Sequence, residues 1–443
     1  MGAYLLSGWL HEKRLDKPLL KYSLLSCAAT FLNPYFWRGV AFPLRIFTLL
    51  QGSNVFKQYI SELQPPWAIT QDPSAPFLPE LPLNTYRVFS LVVLVVIWLS
   101  FQRRKIHELL LTGIFFGLSL VAVRNVPLFF WVTLPIAAAA LFDLLTFYPF
   151  TKRLDSFLRS NKTLPILISI LVLLTCARVL TRAYYISDRR MIHNGLGMDP
   201  WRFPIQAADY MAQNHLDGRL LNDMSYGGWL DWKGPAPVFI DGRLEAMGEG
   251  LFTRYRDSFY PGRLPSLLSD DGIQMVLADH MMDTAWTSQL GASREWRLLY
   301  FDAFSALYAR TGYRAELPPT AWGQALAQWG LQTAPPDSIL TDLADKPISP
   351  FSDWICAFVV PQDYPMPLFR LGAFAYENGQ FDVARAFFLE MLRQTHGCYF
   401  EVYYNLGATY ERLGHNDLAQ ICYERALALN PAYTPARQKL GRL

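Results

Sequence analysis

The sequence is short of charge. Asp, Glu, Lys and Arg make up 17% of its 443 residues, against about 25% in an ordinary soluble protein. The formal net charge is +3 with no long basic run, which excludes the electrostatic footprint of a nucleic-acid binder. Of the five cysteines, Cys27, Cys176, Cys356, Cys398 and Cys422, none stands in a CxxC pair, so neither a zinc knuckle nor a dithiol motif is present and no metal site is expected. No GxGxxG follows a strand, and there is no Walker loop and no GxSxG elbow. Nucleotide and serine-hydrolase chemistry therefore lack support, and no cofactor is identified. A clean signal peptide is missing too, because the first apolar run precedes the charges. Leu6 breaks the myristoylation pattern that Gly2 would open. The opening MGAYLLSGWL is too short to cross about 30 Å of hydrocarbon. It reads as the end of a helix whose beginning lies upstream, so a truncated chain, or one whose start was assigned too late, is expected.

What the chain does have is apolar and aromatic residues: 52% are hydrophobic, and Trp and Tyr number 13 and 23, types enriched at the membrane–water boundary. Apolar runs at Val88–Phe101, Leu109–Val123, Val126–Phe150 and Leu164–Val179 are expected to span a lipid bilayer, with Leu19–Leu32 a weaker fifth because of Lys21. Buried helices of a soluble core would give similar runs. Basic stretches at His11–Arg14, Arg103–Lys105 and Lys152–Lys162 alternate with these spans as cytoplasmic loops do. The link Arg124-Asn125 then falls at the opposite face, residues 33–87 form an outer loop, and everything after Arg182 lies outside the cytoplasm. Asp143 falls near the cytoplasmic end of its span. Within the outer loop, residues 40–60 suit helices lying in the interface, and prolines from Pro65 to Pro82 suit an extended cover.

From Pro200 to Tyr313 short strands alternate with helices, the pattern of a small α/β layer structure. Strands are expected at Arg219–Asn222, Pro237–Asp241, Ile273–Ala278, Trp296–Tyr300 and Ala306–Arg310. Helices are expected at Ile205–Asn214, Leu244–Phe259, Leu264–Leu268 and Met281–Leu290. The most distinctive stretch runs from Asn222 and Asp223 through Tyr226-Gly227-Gly228-Trp229 to Phe239-Ile240-Asp241-Gly242-Arg243. Adjacent glycines permit close backbone approach, and Asp241 with Arg243 would put an acid and a base at the sheet's C-terminal edge, where ligands bind in α/β folds. Turn chemistry accounts for the same residues somewhat better. The Tyr226–Trp229 turn and the Asp241–Arg243 edge are expected to lie side by side.

After a Pro-punctuated linker a repeat begins. Leu371, Gly372, Ala375, Gly379, Ala384 and Phe388 are matched 35 residues later by Leu406, Gly407, Tyr410, Gly414, Ala419 and Tyr423, and the second unit continues to Ala426 and Pro431. This resembles the tetratricopeptide (TPR) repeat: small residues where two antiparallel helices touch, large ones between them, and Pro closing the second helix. The first unit departs from it with Met391 and His396, and Leu440-Gly441 starts a third. So short an array is expected to lean on the linker helices and to bind a protein partner.

A second resemblance rests on Leu32-Asn33-Pro34-Tyr35, Glu62 with Pro65-Pro66, Val123-Arg124-Asn125-Val126-Pro127 and the Tyr226–Arg243 block. In that order they resemble the C-terminal part of bacterial multi-pass glycosyltransferases of the GT-C class, over roughly residues 20–313. The Asp223-x-x-Tyr226-Gly227 portion is similar to the acceptor-binding motif of oligosaccharyltransferase catalytic subunits, although the Trp-Trp beginning is absent. The resemblance implies sugar transfer from a polyprenyl-phosphate donor at the outer face of a bacterial inner membrane. Glu62 would be an outer-loop acid, Arg124 a phosphate partner or a snorkelling interfacial charge, and Asp223, Tyr226, Asp241 and Arg243 substrate-binding candidates. The loop that carries the catalytic acid in such enzymes has no counterpart here, so no catalytic residue is assigned; a non-enzymatic membrane-anchored TPR scaffold is the alternative.

The expected class is thus mostly α. It comprises a polytopic helical membrane domain at 1–182, a small extracytoplasmic α/β domain at 183–317, a helical linker at 318–363 and TPR repeats at 364–443.

Overall fold

The computed structural model describes residues 1–13, 15–49, 55–68, 81–147, 163–181, 196–198, 203–332, 337–344 and 364–442. The chain is mostly helical and forms two compact units, Met1–Thr175 and Cys176–Leu443.

The first unit contains α1 (Gly2–Glu12), α2 (Lys17–Ala29), α3 (Trp37–Leu49), α4 (Val55–Tyr59), α5 (Leu81–Leu99), α6 (Ile106–Val121) and α7 (Val126–Phe147). Tyr86, Val93 and Ile97 of α5 meet Phe129, Ile136 and Ala140 of α7 in its core. The Tyr86 hydroxyl pairs with Ser119 of α6 at 2.8 Å, so a buried polar atom has its partner. At one end Arg104, almost fully buried, is ion-paired with Asp143 and lies 3.5 Å from Glu108. Within the Arg103–Lys105 triplet, Arg104 is therefore neutralised by acids of α6 and α7. The basic stretch at Lys152–Lys162 and most of the prolines after Pro66 lie outside the described residues.

The expected five spans reduce on length. One described helical segment, Val123–Phe147, has both the 25-residue length and the hydropathy to cross a membrane; Thr85–Leu99, Ile106–Val121 and Ile166–Leu180 are apolar but shorter. At 1.5 Å per residue a 16-residue helix reaches only about 24 Å of the roughly 30 Å needed. The last of these belongs to α8 (Thr163–Leu180), which straddles the boundary between the units. Its side chains Ile166, Leu167, Ile168, Ile170, Leu171, Val172, Leu173 and Leu174 are exposed around the whole helix.

In the second unit α9 (Ile205–Gln213) leads to β1 (Leu220–Asn222), followed by α10 (Met224–Lys233), α11 (Leu244–Asp257) and α12 (Leu264–Asp270). Next come β2 (Met275–Asp279), α13 (Thr284–Ala292), β3 (Trp296–Phe301) and β4 (Ser305–Arg310). The sheet order is β1-β2-β4-β3, with β1 parallel to β2 and the other pairs antiparallel. Met275 to Ala278 are all buried, as a strand covered on both faces requires. Leu220, Met275, Leu277, Leu299, Leu307 and Ala309 pack with Ala207 and Met211 of α9 and Tyr226 and Leu230 of α10.

Two expectations fail here. Pro237–Asp241 forms no strand, because the Asn222 carboxamide does a ladder's work: it accepts from Phe239 N–H at 2.9 Å and donates to the Ile240 carbonyl at 2.8 Å. The Tyr226–Trp229 stretch is not a turn but the interior of α10, started by Asp223, whose carboxylate accepts from Ser225 N–H at 2.7 Å. The outer edge of β3 is covered as well. Thr320 N–H donates to Leu299 O at 2.9 Å, and the Arg297 guanidinium binds the carbonyls of Tyr313, Arg314 and Leu317.

Beyond the sheet lie α14 (Trp322–Gln328) and α15 (Ser338–Ala344). Then come two antiparallel helix pairs, α16 (Met366–Glu377) with α17 (Phe381–Gln394) and α18 (Phe400–Leu413) with α19 (Asn416–Leu429), followed by α20 (Thr434–Leu440). A Cβ on Gly372 would lie 2.7 Å from the Phe388 ring, and one on Gly407 would lie 2.8 Å from the Tyr423 ring. Only glycine lets either pair of helices close so tightly. Leu406, Tyr410, Ala419, Tyr423 and Ala426 are fully buried. Gly414, at φ 82°, ends α18 in the left-handed conformation, and Pro431 follows the end of α19. The linker helix α15 packs against α17 and α19, with Asp337 accepting from Tyr410 Oη at 2.5 Å and lying 3.9 Å from Arg385.

Candidate functional site

The C-terminal ends of the parallel strands β1 and β2 gather three acids, Asp223, Asp279 and Asp283. Asp223 caps α10 and also receives the Tyr255 hydroxyl at 3.4 Å; that same hydroxyl accepts from Met224 N–H at 3.1 Å. Asp279 accepts the amides of Met281 and Met282, and Asp283 accepts the Asp279 amide at 2.8 Å. Burial, reinforced by the Asp223 charge, pushes the Asp283 carboxyl well above the usual carboxylate range. Closely spaced buried acids are an arrangement that proton-transfer sites use. Here each carboxylate is also committed to a cap or a turn, and that structural work accounts for its position. Among the described residues no group of His, Cys, Asp and Glu is arranged to hold a metal ion.

Asp241 and Arg243 lie against this edge. A Cβ on Gly227 would come within 2.1 Å of the Ile240 carbonyl oxygen, so the second stretch runs directly along α10 and Gly227 is what admits it. Asp241 is buried, and the Arg243 side chain and amide engage both its oxygens, at 2.7 Å for Nε and 2.7 Å for the amide. Burial alone would raise the Asp241 carboxyl; hydrogen bonds from Arg243 outweigh it and hold its pKa below the ordinary value. Arg243 also reaches Asp231 at 3.1 Å. Tyr226 is buried with its hydroxyl donated to Phe304 O at 3.1 Å, and burial drives its pKa well above that of a free tyrosine. Of the four sequence candidates in this unit, Asp223 and Arg243 are partly open to solvent, whereas Tyr226 and Asp241 are enclosed.

Glu62 and Arg124 belong to the other unit. Both are exposed, and their segments are tied by a backbone hydrogen bond from Val123 N–H to Gln64 O at 3.0 Å. Arg87 joins the same region by donating to Pro66 O at 2.8 Å.

The residues that sequence reasoning missed lie where the sheet meets the repeats. Arg370 of α16, buried, forms an ion pair with Asp279 and donates to Ala303 O and Phe304 O, each at 2.9 Å. Its guanidinium lies 4.7 Å from the Phe304 ring centre. His280 stacks on Phe374 at 4.4 Å, with Nε2 3.1 Å from Asp302 O. Burial, assisted by the Arg370 charge, pulls the His280 pKa from 6.5 down to about 3. Phe374 in turn packs on Phe301 and Trp322. The helix pair α16–α17 is thus docked on the sheet domain through α16. One signal was available: Arg370 falls where the second unit has Asn405, a cation within the otherwise apolar run 366–375.

Residues 400–433 match the tetratricopeptide repeat family. This is the stretch in which Gly407 meets Tyr423 and in which Leu406, Tyr410, Ala419 and Ala426 are enclosed. The protein therefore carries a tetratricopeptide repeat near its C-terminus, a module associated with protein–protein interaction. No curated protein and no solved structure matches the chain.

Proposed function

We propose that the protein is a membrane-held scaffold whose sheet-docked TPR array binds a protein partner outside the cytoplasm. The carrying observation is the complete repeat at 400–433, joined through the like-built pair α16–α17 to the sheet domain by Arg370. Phe369 and Tyr404, 35 residues apart at equivalent places on α16 and α18, are half-buried aromatics suited to anchoring a partner segment. Membrane attachment is supported by α8, apolar and exposed on every side, and by the 25-residue apolar stretch Val123–Phe147. The placement outside the cytoplasm rests on the basic stretches alone. A phosphatase reporter fused after Arg243 is expected to be active and one after Arg104 inactive; the opposite pattern removes the placement. Photo-crosslinking from Tyr404 in membranes should give a discrete protein adduct that a probe at Gln420 does not, and equal labelling from both removes the scaffold reading.

A second reading is a GT-C-like transferase, or the surviving part of one, acting on a polyprenyl-phosphate-linked sugar at the outer face. The joining of the Glu62 and Arg124 segments favours it, since an exposed acid and an exposed cation then share one end of the first unit. Membranes carrying the chain, supplied with a polyprenyl-phosphate sugar, should transfer it in a manner lost in Arg124→Ala and Glu62→Gln. Transfer equal to that of empty membranes removes this reading.

A further inference from the structure

We propose that the cleft between α9, the β3–β4 turn, α14 and the start of the repeat array is a binding site for a neutral pyranose ring. The cleft has a volume of about 240 Å³, below the roughly 300–1,000 Å³ of sites for larger ligands and suited to one substituted six-membered ring. Its floor is apolar: Phe301, Ala303, Ala325 and Leu371 are all buried. Its walls are the rings of Phe203, Phe304 and Trp329, and its rim carries the exposed side-chain amides of Gln206 and Gln328.

The walls are fixed in advance. Phe203 rests on Trp229 at 5.5 Å between ring centres, and Trp322, on the same helix as Gln328, is held against Phe301 at 4.2 Å. Trp329 closes that helix, with Gly330 at φ 66° and Leu331 N–H bonded to Leu326 O at 3.0 Å. The charge in this region is already spent from behind. Arg370 is taken by Asp279 and two carbonyls, and the Asp302 carboxylate holds the amides of Phe304 and Ser305.

What the cleft offers a ligand is therefore flat apolar area and uncharged hydrogen-bonding groups. Among the described residues that line the cleft there is no Lys, Arg or His to meet a phosphate or carboxylate, and a wholly apolar ligand would strip water from the Gln206 and Gln328 amides without replacing it. A pyranose satisfies both halves: its C–H face lies on an aromatic ring while its hydroxyls give and accept hydrogen bonds at the amides. The site does not depend on the scaffold reading.

Saturation-transfer NMR on the full chain in lipid nanodiscs, free of sugar detergents, tests it with methyl glucoside and methyl N-acetylglucosaminide as probes and phenol as the apolar control. At least one sugar should receive saturation at its ring protons. Trp329→Ala should weaken that sugar by about tenfold, the loss of one aromatic contact plus its buried area. Gln206→Ala and Gln328→Ala, at exposed rim positions, should each weaken it severalfold and decide the matter if the tryptophan variant misfolds. Absence of transfer to both sugars, binding of phenol alone, or unchanged affinity in the glutamine variants would overturn the proposal.

Discussion

Arg370 and Asp279 form an ion pair that joins the first helix of the repeat array to the end of a sheet strand, with 10% and 15% of their side chains exposed. Removing one member of such a pair strands the other in a region of low polarity, and the cost is dominated by that stranded charge.

Arg370→Ala should therefore destabilise the second unit by about 3 kcal/mol. Urea unfolding of the chain in nanodiscs would measure the loss. Hydrogen exchange should accelerate together in α16 and in the β3–β4 turn, and acceleration in α16 alone would mean that the two are not coupled through this residue.

Ala419 is fully enclosed between the helices of the second repeat. Ala419→Leu overpacks that contact at a cost of about 1–3 kcal/mol. Limited proteolysis in membranes should then release the fragment from about residue 364 onward. Protection equal to that of the wild type would show that the pair tolerates a wider spacing than Gly407 and Tyr423 imply.

Asn222→Ala removes the side chain that satisfies Phe239 N–H and Ile240 C=O. Each buried group so deprived costs about 1–3 kcal/mol. The Phe239 amide should exchange much faster in the variant, and slow exchange there would mean that another partner takes over.

The His280 pKa, about 3 in the fold against 6.5 when exposed, makes stability depend on pH. The unfolded chain takes up a proton as pH falls through 6.5 and the folded chain does not, so this residue's contribution is complete above 6.5 and is lost progressively toward 3. The slope approaches about 1.4 kcal/mol per pH unit within that window. His280→Phe, which keeps a ring against Phe374, should flatten urea midpoints measured from pH 7 to 4.5 relative to the wild type. Parallel curves would show that His280 is protonated in the fold.

Periodicity and spacing made the local elements legible. The helix begun at Ile205, the strands flanking the turn at 302–304 and both helix pairs of the C-terminal array follow from which side chains recur at which interval. Elements decided by a partner distant in sequence were not. Nothing near Pro237 announces that a side chain at position 222 will replace a strand ladder, and the double glycine at 227–228 reads as a turn until the close passage of Ile240 gives Gly227 its reason. In the candidate site Asp241 and Arg243 were visible as neighbours in sequence. Asp223 meets Asp283 only through the crossover from β1 to β2, and Arg370 meets Asp279 only through the docking of α16. Of the apolar runs read as spans, one described segment, Val123–Phe147, has the length to cross, because apolar content was legible where helix length was not.

The sealed margins of the sheet have a consequence for assembly. The free side of β3 is occupied by residues 313–320, and β1 is three residues long with the Phe239–Ile240 segment held beside it through Asn222. A sheet so bounded offers no row of vacant amides to an incoming chain. Recruitment by strand addition and growth into fibrils are both disfavoured at these margins.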